Sequence, residues 1–240
     1  YINKNIKIIF LKTNNKIIKK IRYIDKYSKN RLFQNNFNEK STLLEIEENK
    51  IINKIKNIQN NFDEILFFDY GYFYSSKKII NLVKKFHKKI TINCQSNSYN
   101  FGFNIADKYK VGKTLSMDEA EYRLVSRNKE ENLLNLIKKN KNKFNQFSNL
   151  IITQGKKGCY LSTKNKIYYV PCVVNISIDS TGSGDIFLSM FFITQIYKKF
   201  SLIESLILAH IAAGLHANQL GNRFNVSSSD IYKILCNINK

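Results

Sequence analysis

Asp179-Ser180-Thr181-Gly182-Ser183-Gly184-Asp185-Ile186-Phe187 decides how the chain is read, because it joins a glycine turn to a strongly helix-compatible segment. Gly182 and Gly184 permit backbone conformations and close approaches that a side chain blocks. Residues 186–198 follow with Leu188, Phe191, Phe192 and Ile196 on one apolar helical face. A turn that feeds a helix start directs several free N–H groups and the positive end of the helix dipole at one point. The stretch therefore predicts an anion site, suited to charge developing on a phosphoryl group in transfer. Asp185 falls at the same helix start. A carboxylate does not attract an incoming phosphate, whereas it can take a proton from an attacking hydroxyl. The plainer reading of Gly-Ser-Gly-Asp is a turn with Asp185 as the helix N-cap, and those four residues alone leave both readings open.

Upstream of this turn, short apolar runs alternate with helical patterns. Residues 64–69 and 89–94 predict buried strands, with a helix over 75–88 between them. Leu115 leads into Asp118-Glu119-Ala120-Glu121, which opens a short helix, and 130–141 makes a second. Residues 150–153 predict a strand, Gly155 and Gly158 mark turns, and 159–162 and 167–170 predict two further short strands. After Asp179 the pattern is helical nearly to the end. Nearer the start, the apolar run 6–11 and the mixed segment 16–27 read as strands, the second partly exposed. Ser41-Thr42 with Glu45 and Glu47 starts a helix whose stripe is Leu44, Ile51, Ile52, Ile55 and Ile58. Strands alternating with helices imply a largely parallel sheet covered on both faces.

The bulk composition narrows the function classes. The 240 residues are 43% hydrophobic and 13% aromatic, enough for a substantial core. The net charge of +21 raises nucleic acid or an anionic membrane as partners. Lys, Asn and Ile are used heavily throughout, with one Pro and no Trp, so the excess reads as a whole-chain bias and not a basic patch. Spread in this way, it still attracts phosphorylated ligands over long range. Cys94, Cys159, Cys172 and Cys236 have no CxxC spacing, which disfavours a disulfide framework or zinc site and fits a reducing cytoplasm. The apolar stretch 186–197 is too short to span a membrane, and 201–220 carries Glu204, His210 and His216.

The run from Asp179 to Phe187 resembles the C-terminal signature of the ribokinase (phosphofructokinase-B) family of carbohydrate kinases, DTxGAGDxF, with Ser180 for Thr and Ser183 for Ala. The resemblance implies that Asp185 is the catalytic base and that the amides of Gly182, Ser183 and Gly184 form the anion hole. Asp179 and Thr181 fall where some members hold a monovalent cation. Thr153-Gln154-Gly155-Lys156-Lys157-Gly158 resembles the family's TxGxxG turn, implying that Thr153, Gly155 and Gly158 lie along the nucleotide. Asp118-Glu119-Ala120-Glu121 resembles NxxE, whose Glu acts on magnesium and phosphate through water; Asp118 replaces the Asn and adds negative charge. Residues 208–213 resemble the adenine-side helix LANAAA with His210 in place of Asn, although His210 taken alone reads as a core-edge histidine rather than a ligand.

Within the family the likeness is to the heptose-phosphate kinase branch. Ile18-x-Lys20-x-Arg22 followed by Arg31 resembles its lid strand TxKxR, implying that Lys20 and Arg22 contact a substrate phosphate; the alternative is solvated charges on an edge strand. Asp69-Tyr70-Gly71 resembles the DYxKG turn without its Lys, and Ala212-Ala213-Gly214 with Leu220-Gly221 resembles the AAGxxxxxxG ending. Asn93-x-Gln95-x-Asn97 with Asn104 resembles a polar NTQ-type replacement of Asp-Pro-Lys, which puts Asp69, Asn93 and Asn97 among the substrate candidates. The family's Gly-Gly-then-Asn substrate signature is not visible and the chain starts at Tyr1, which together suggest that an N-terminal portion is missing.

The resulting expectation is one α/β domain over 1–240, a ribokinase-like three-layer sandwich with a mostly parallel central sheet and a small β lid within about 6–35. The expected reaction moves the γ-phosphoryl group of ATP, with Mg2+, to a hydroxyl of a sugar or sugar phosphate such as heptose 7-phosphate. Nucleic acid and membrane are not expected as partners. A homodimer, and fusion to or action with a nucleotidyltransferase, are compatible with the resemblance. The competing reading is a non-catalytic kinase-fold module that binds a ligand or partner, motivated by Asp118, His210 and the missing signature.

Overall fold

The computed structural model describes residues 6–11, 16–28, 30–37, 44–72, 76–174, 178–221 and 225–238. Two sheets are present among them. Strands β1 (Lys19–Ile24) and β2 (Arg31–Phe37) form an antiparallel hairpin. The main sheet has six strands in sequential order: β3 (Ile65–Asp69), β4 (Ile90–Cys94), β5 (Gly112–Asp118), β6 (Phe147–Thr153), β7 (Gly158–Thr163) and β8 (Ile167–Pro171). β3 to β6 run parallel, and β7 and β8 extend the sheet antiparallel.

Strict alternation along the strands builds two cores, one on each face. Ile65 and Phe67 of β3, with Leu150 and Ile152 of β6, face one cluster, while Leu66, Phe68 and Ile151 face the other. The first cluster is covered by α1 (Glu45–Ile58), α2 (Lys77–Lys85), α3 (Glu119–Ser126) and α4 (Leu133–Lys139). The second is covered by α5 (Ser183–Ile196) and α6 (Leu202–Ala217), where Phe187, Leu188, Phe191, Leu206 and Ala209 are buried; α7 (Ser228–Ile238) packs on α6. The expected three-layer α/β sandwich is thus the observed one.

The same alternation opens the site. On the α5–α6 face, β4 and β5 present Thr91, Asn93, Thr114 and Ser116, all buried, with Asn149 of β6 bonded to Thr114, where Ile151, Cys159, Leu161 and Val170 of β6 to β8 are apolar. Polar side chains under that half of the sheet line a cleft at the C-terminal ends of the parallel strands, the usual place for a ligand in an open α/β sheet.

Two expectations need correction or restriction. Residues 6–11 carry no strand and are exposed, because a run of five apolar residues and Lys7 gains nothing from β structure without a partner to pair with. Ser41-Thr42 lies outside the described residues, and the cap of α1 is Leu44, whose N–H donates to Glu47 Oε2 at 3.0 Å. Among the described residues no helix is long and apolar enough to cross a membrane.

Candidate active site

The turn before α5 is shaped by Gly182, the helix N-cap, whose φ of 81° lies in the left-handed region that favours glycine. The Ser183 N–H closes the turn onto the Ser180 carbonyl at 3.1 Å, leaving the Gly184 and Asp185 amides open at the helix start. A side chain on Gly184 would meet no protein atom within 4 Å, so the space beside it is kept clear by the fold and filled by nothing of its own.

The Asp185 carboxylate, which lines a cavity together with Gly184, accepts from two side-chain donors. Tyr70 donates its hydroxyl to Oδ2 at 3.1 Å, and Gln95 donates from Nε2 to Oδ1 at 2.5 Å. Burial raises the Asp185 pKa, against the opposing effect of the Gln95 and Tyr70 hydrogen bonds and the charge of His216. Burial and the adjacent carboxylate push the Tyr70 phenol upward, so Tyr70 stays a protonated donor.

Two cavities meet at this point. A polar one of about 220 Å³ is lined by Asn93, Gln95, Ser116, Asp118, Glu121 and Asp185. An apolar one of about 340 Å³ is lined by Cys172, Val174, Phe187, His210, Ala213 and Gly214, among others. Thr153, Ser180 and Gly184 border both. Gly155 and Lys156 border the apolar cavity, whereas Gly158 serves the β6–β7 turn: its φ is 116°, and a Cβ there would sit 2.2 Å from the Val170 carbonyl oxygen.

Asp118 and Glu121 form a reciprocal capping box at α3, with Glu121 N–H donating to Asp118 Oδ1 at 2.7 Å and Asp118 N–H to Glu121 Oε2 at 2.8 Å. The second Glu121 oxygen takes the Ser96 N–H at 2.7 Å. Both Glu121 oxygens are therefore held by backbone, and burial together with the Asp118 charge pushes its pKa up to about 7. Asn93 is 6% exposed, and its Oδ1 has no hydrogen-bond partner.

The remaining candidates divide. Asp69 is 1% exposed; Lys108 at 2.5 Å, Tyr109 at 2.9 Å and the Gly71 N–H at 2.8 Å take up its carboxylate, which withdraws it from the substrate contact expected of it and makes it the anchor of the turn that carries Tyr70. Asn97 likewise braces that turn, donating to the Tyr70 carbonyl at 2.8 Å, as does Asn100 at 2.9 Å. Lys20 lies 5.4 Å over the Tyr72 ring, and Arg22 lines a third cavity of about 130 Å³ with Asn30, Arg31, Asp179 and Ser180. Asp179 accepts the Thr181 N–H at 3.0 Å and the Gly221 N–H at 3.1 Å. Burial works to raise its pKa, but these hydrogen bonds and the Arg31 charge prevail and hold it below the ordinary value.

His210 is buried, its Nε2 3.3 Å from Cys159 Sγ and its ring edge-on to Phe187, and burial lowers its pKa to about 4. It is a neutral core-edge side chain whose face lines the apolar cavity. Tyr70 and Gln95 fall inside short motifs and His216 inside an apolar stretch, but the sequence alone assigns none of the three to the site. His216 Nε2 lies 3.1 Å from the Thr181 carbonyl oxygen and so steadies the turn. Gln95 was accessible to periodicity, since it lies two residues beyond Asn93 on the cleft side of β4.

A family model described as pfkB family carbohydrate kinase matches residues 78–228. The fold is similar to ribokinase from Thermotoga maritima, with a TM-score of 0.70 at 17% identity, covering 91% of this chain and 69% of that one. It is also similar to phosphofructokinase-2 from Escherichia coli in complex with potassium, with a TM-score of 0.66 at 15% identity over 87% of this chain and 67% of that one. A nucleoside kinase from Methanocaldococcus jannaschii gives a TM-score of 0.61 at 15% identity over 94% and 70% of the two chains. No curated protein sequence gives a match.

Proposed function

The chain belongs to the pfkB family of carbohydrate kinases, and from that premise we propose that it phosphorylates a hydroxyl of a sugar phosphate, heptose 7-phosphate being the first candidate, with Asp185 as the general base. The observation that carries the reading is the placement of one carboxylate beside the open amides of a glycine turn, where two cavities meet.

The cleft fits a nucleoside triphosphate. The apolar cavity suits a flat base, the clear space at Gly184 suits phosphate, and the Gly184 and Asp185 amides are donors with no partner of their own. Bound ATP with its magnesium would supply the electrophilic phosphoryl group. Asn93 Oδ1, which has no partner, and Asp118, with only one oxygen committed to the capping box, are the acceptors suited to a hydrated magnesium; Glu121 supports them from behind. Asp179 accepts one backbone N–H on each oxygen and the Thr181 carbonyl faces His216, so a monovalent cation there would share these groups with the hydrogen bonds that shape the turn. No step is assigned to such an ion.

In the reaction Asp185 takes the proton of the attacking hydroxyl as its oxygen bonds the γ-phosphorus and the bond to the β,γ-bridging oxygen breaks, releasing ADP, and the open amides stabilise charge on the moving group. Arg22 and Arg31, on the hairpin side of the cleft, support an acceptor that already carries a phosphate. The opposite face of the hairpin exposes Tyr23 stacked on Phe33 at 4.2 Å, and Phe37, which supports a homodimer.

The test is ATP consumption with a panel of sugars and sugar phosphates that includes heptose 7-phosphate. Turnover that falls about 10²–10⁴-fold in Asp185→Asn, with nucleotide binding retained, is the expected result. Unchanged turnover in that variant would sink the mechanism. Nucleotide binding without turnover on any acceptor would favour a non-catalytic module.

A further inference from the structure

Each oxygen of Asp185 accepts a hydrogen bond from a side chain on a separate segment, Tyr70 after β3 and Gln95 after β4. The fold fixes both donors from behind. The Tyr70 carbonyl is held by Asn97 and Asn100, and its ring lies nearly parallel to Phe68 at 6.2 Å. Gly71 must be glycine for this turn, because a Cβ there would sit 2.2 Å from Asn100 Nδ2. Gln95 donates its N–H to the Asp69 carbonyl at 2.8 Å and accepts from Asn104 at 2.8 Å. Two braced donors converging on one half-buried carboxylate amount to a built arrangement, whereas a solvated base needs no such support.

We infer that Tyr70 and Gln95 are positioning residues for Asp185, fixing its orientation at the edge of the polar cavity. An ionised carboxylate has about four lone-pair sites, so two donors leave room for an acceptor hydroxyl. Each donor favours the charged form, in opposition to burial. The other titratable groups facing the carboxylate are His216 on α6 and Asp118 and Glu121 across the cavity. The catalytic meaning of this arrangement rests on the base assignment above; its geometry does not.

The measurement is a carbon-13 carboxyl titration of the unliganded chain labelled at aspartate, with the Asp185 resonance assigned by its loss in Asp185→Asn. Removing one donor in Tyr70→Phe or Gln95→Met is expected to raise the Asp185 midpoint by about one pH unit, the equivalent of one hydrogen bond to a charged group. Gln95→Lys replaces a neutral donor by a cation and is expected to lower it below the wild-type value. Thermal melts establish that each variant is folded, and if Gln95→Met is not, the other two carry the test. A midpoint that stays within a few tenths of a unit in Tyr70→Phe and Gln95→Lys overturns the inference. Turnover that survives in Asp185→Asn overturns the base assignment instead and leaves the titration result standing.

Discussion

Two glycines in the site are required for opposite reasons, and substitution separates them. Gly71 sits at φ 70° under Asn100 and Asn104, so Gly71→Ala meets both backbone strain and collision. A loss of about 2 kcal/mol or more in denaturant unfolding is expected, since the left-handed conformation alone costs an L residue roughly 1–2 kcal/mol. Gly184 is helical and faces open space. Gly184→Ala is therefore expected to hold or gain stability by up to about 1 kcal/mol, as Ala is the better helix former. Its methyl group enters the space assigned to phosphate, so ATP affinity should fall at least tenfold (about 1.4 kcal/mol) in a binding titration. Unchanged affinity would place the phosphate elsewhere. Asp185 and its glycines were legible in the sequence because their relationship is local. Tyr70 and Gln95 fell inside short motifs, but their pairing with Asp185 was not legible, because it spans separations of 115 and 90 residues.

At the level of elements, the Asp118–Glu121 box joins the end of β5 to the start of α3, and the Ser96 N–H ties in the segment after β4. Its cost is a buried carboxylate beside another, with the Glu121 pKa raised from its ordinary 4.5 to about 7. Below about pH 4.5 Glu121 is protonated in both folded and unfolded chains. Between about 4.5 and 7 the unfolded chain ionises first, so folding loses up to about 3 kcal/mol across that window from this group, and above it the loss is constant. Denaturant unfolding from pH 4.5 to 8 should show Glu121→Gln gaining on the wild type as pH rises, whatever it loses in hydrogen bonding. A difference that stays flat with pH would show that Glu121 titrates normally. The helix start at 118–121 was readable because a capping box is a local pattern. β5 was not read as a strand, since Thr114 and Ser116 on its other face mask the alternation of the apolar Leu115 and Met117. The run 6–11 misled in the reverse sense, being apolar without a partner.

Across the whole molecule, one sheet separates two cores, and this division sets where charge can act. Lysines lie on α1, α2 and α4 over the first face, on α7 and in loops, whereas α5 and α6 over the second face carry no Lys or Arg; the cleft itself is lined by few cations among the described residues, Lys156 at the apolar cavity and Arg22 and Arg31 at the hairpin. A diffuse positive field does not hold a ligand in place, but it draws anions in from beyond contact distance. Fields of that kind are cut off at about 10 Å in 0.1 M salt. The association rate of ATP, followed by stopped flow with a fluorescent analogue, should therefore drop about tenfold between about 10 and 300 mM salt, with dissociation little changed. An association rate indifferent to salt would mean that the charge excess has no bearing on ligand capture. The same experiment distinguishes a nucleic-acid surface. A single-stranded oligonucleotide held by a concentrated patch would lose affinity with a slope set by the number of phosphates neutralised, whereas a field spread over several helices and loops gives weak, length-insensitive binding that vanishes at physiological salt.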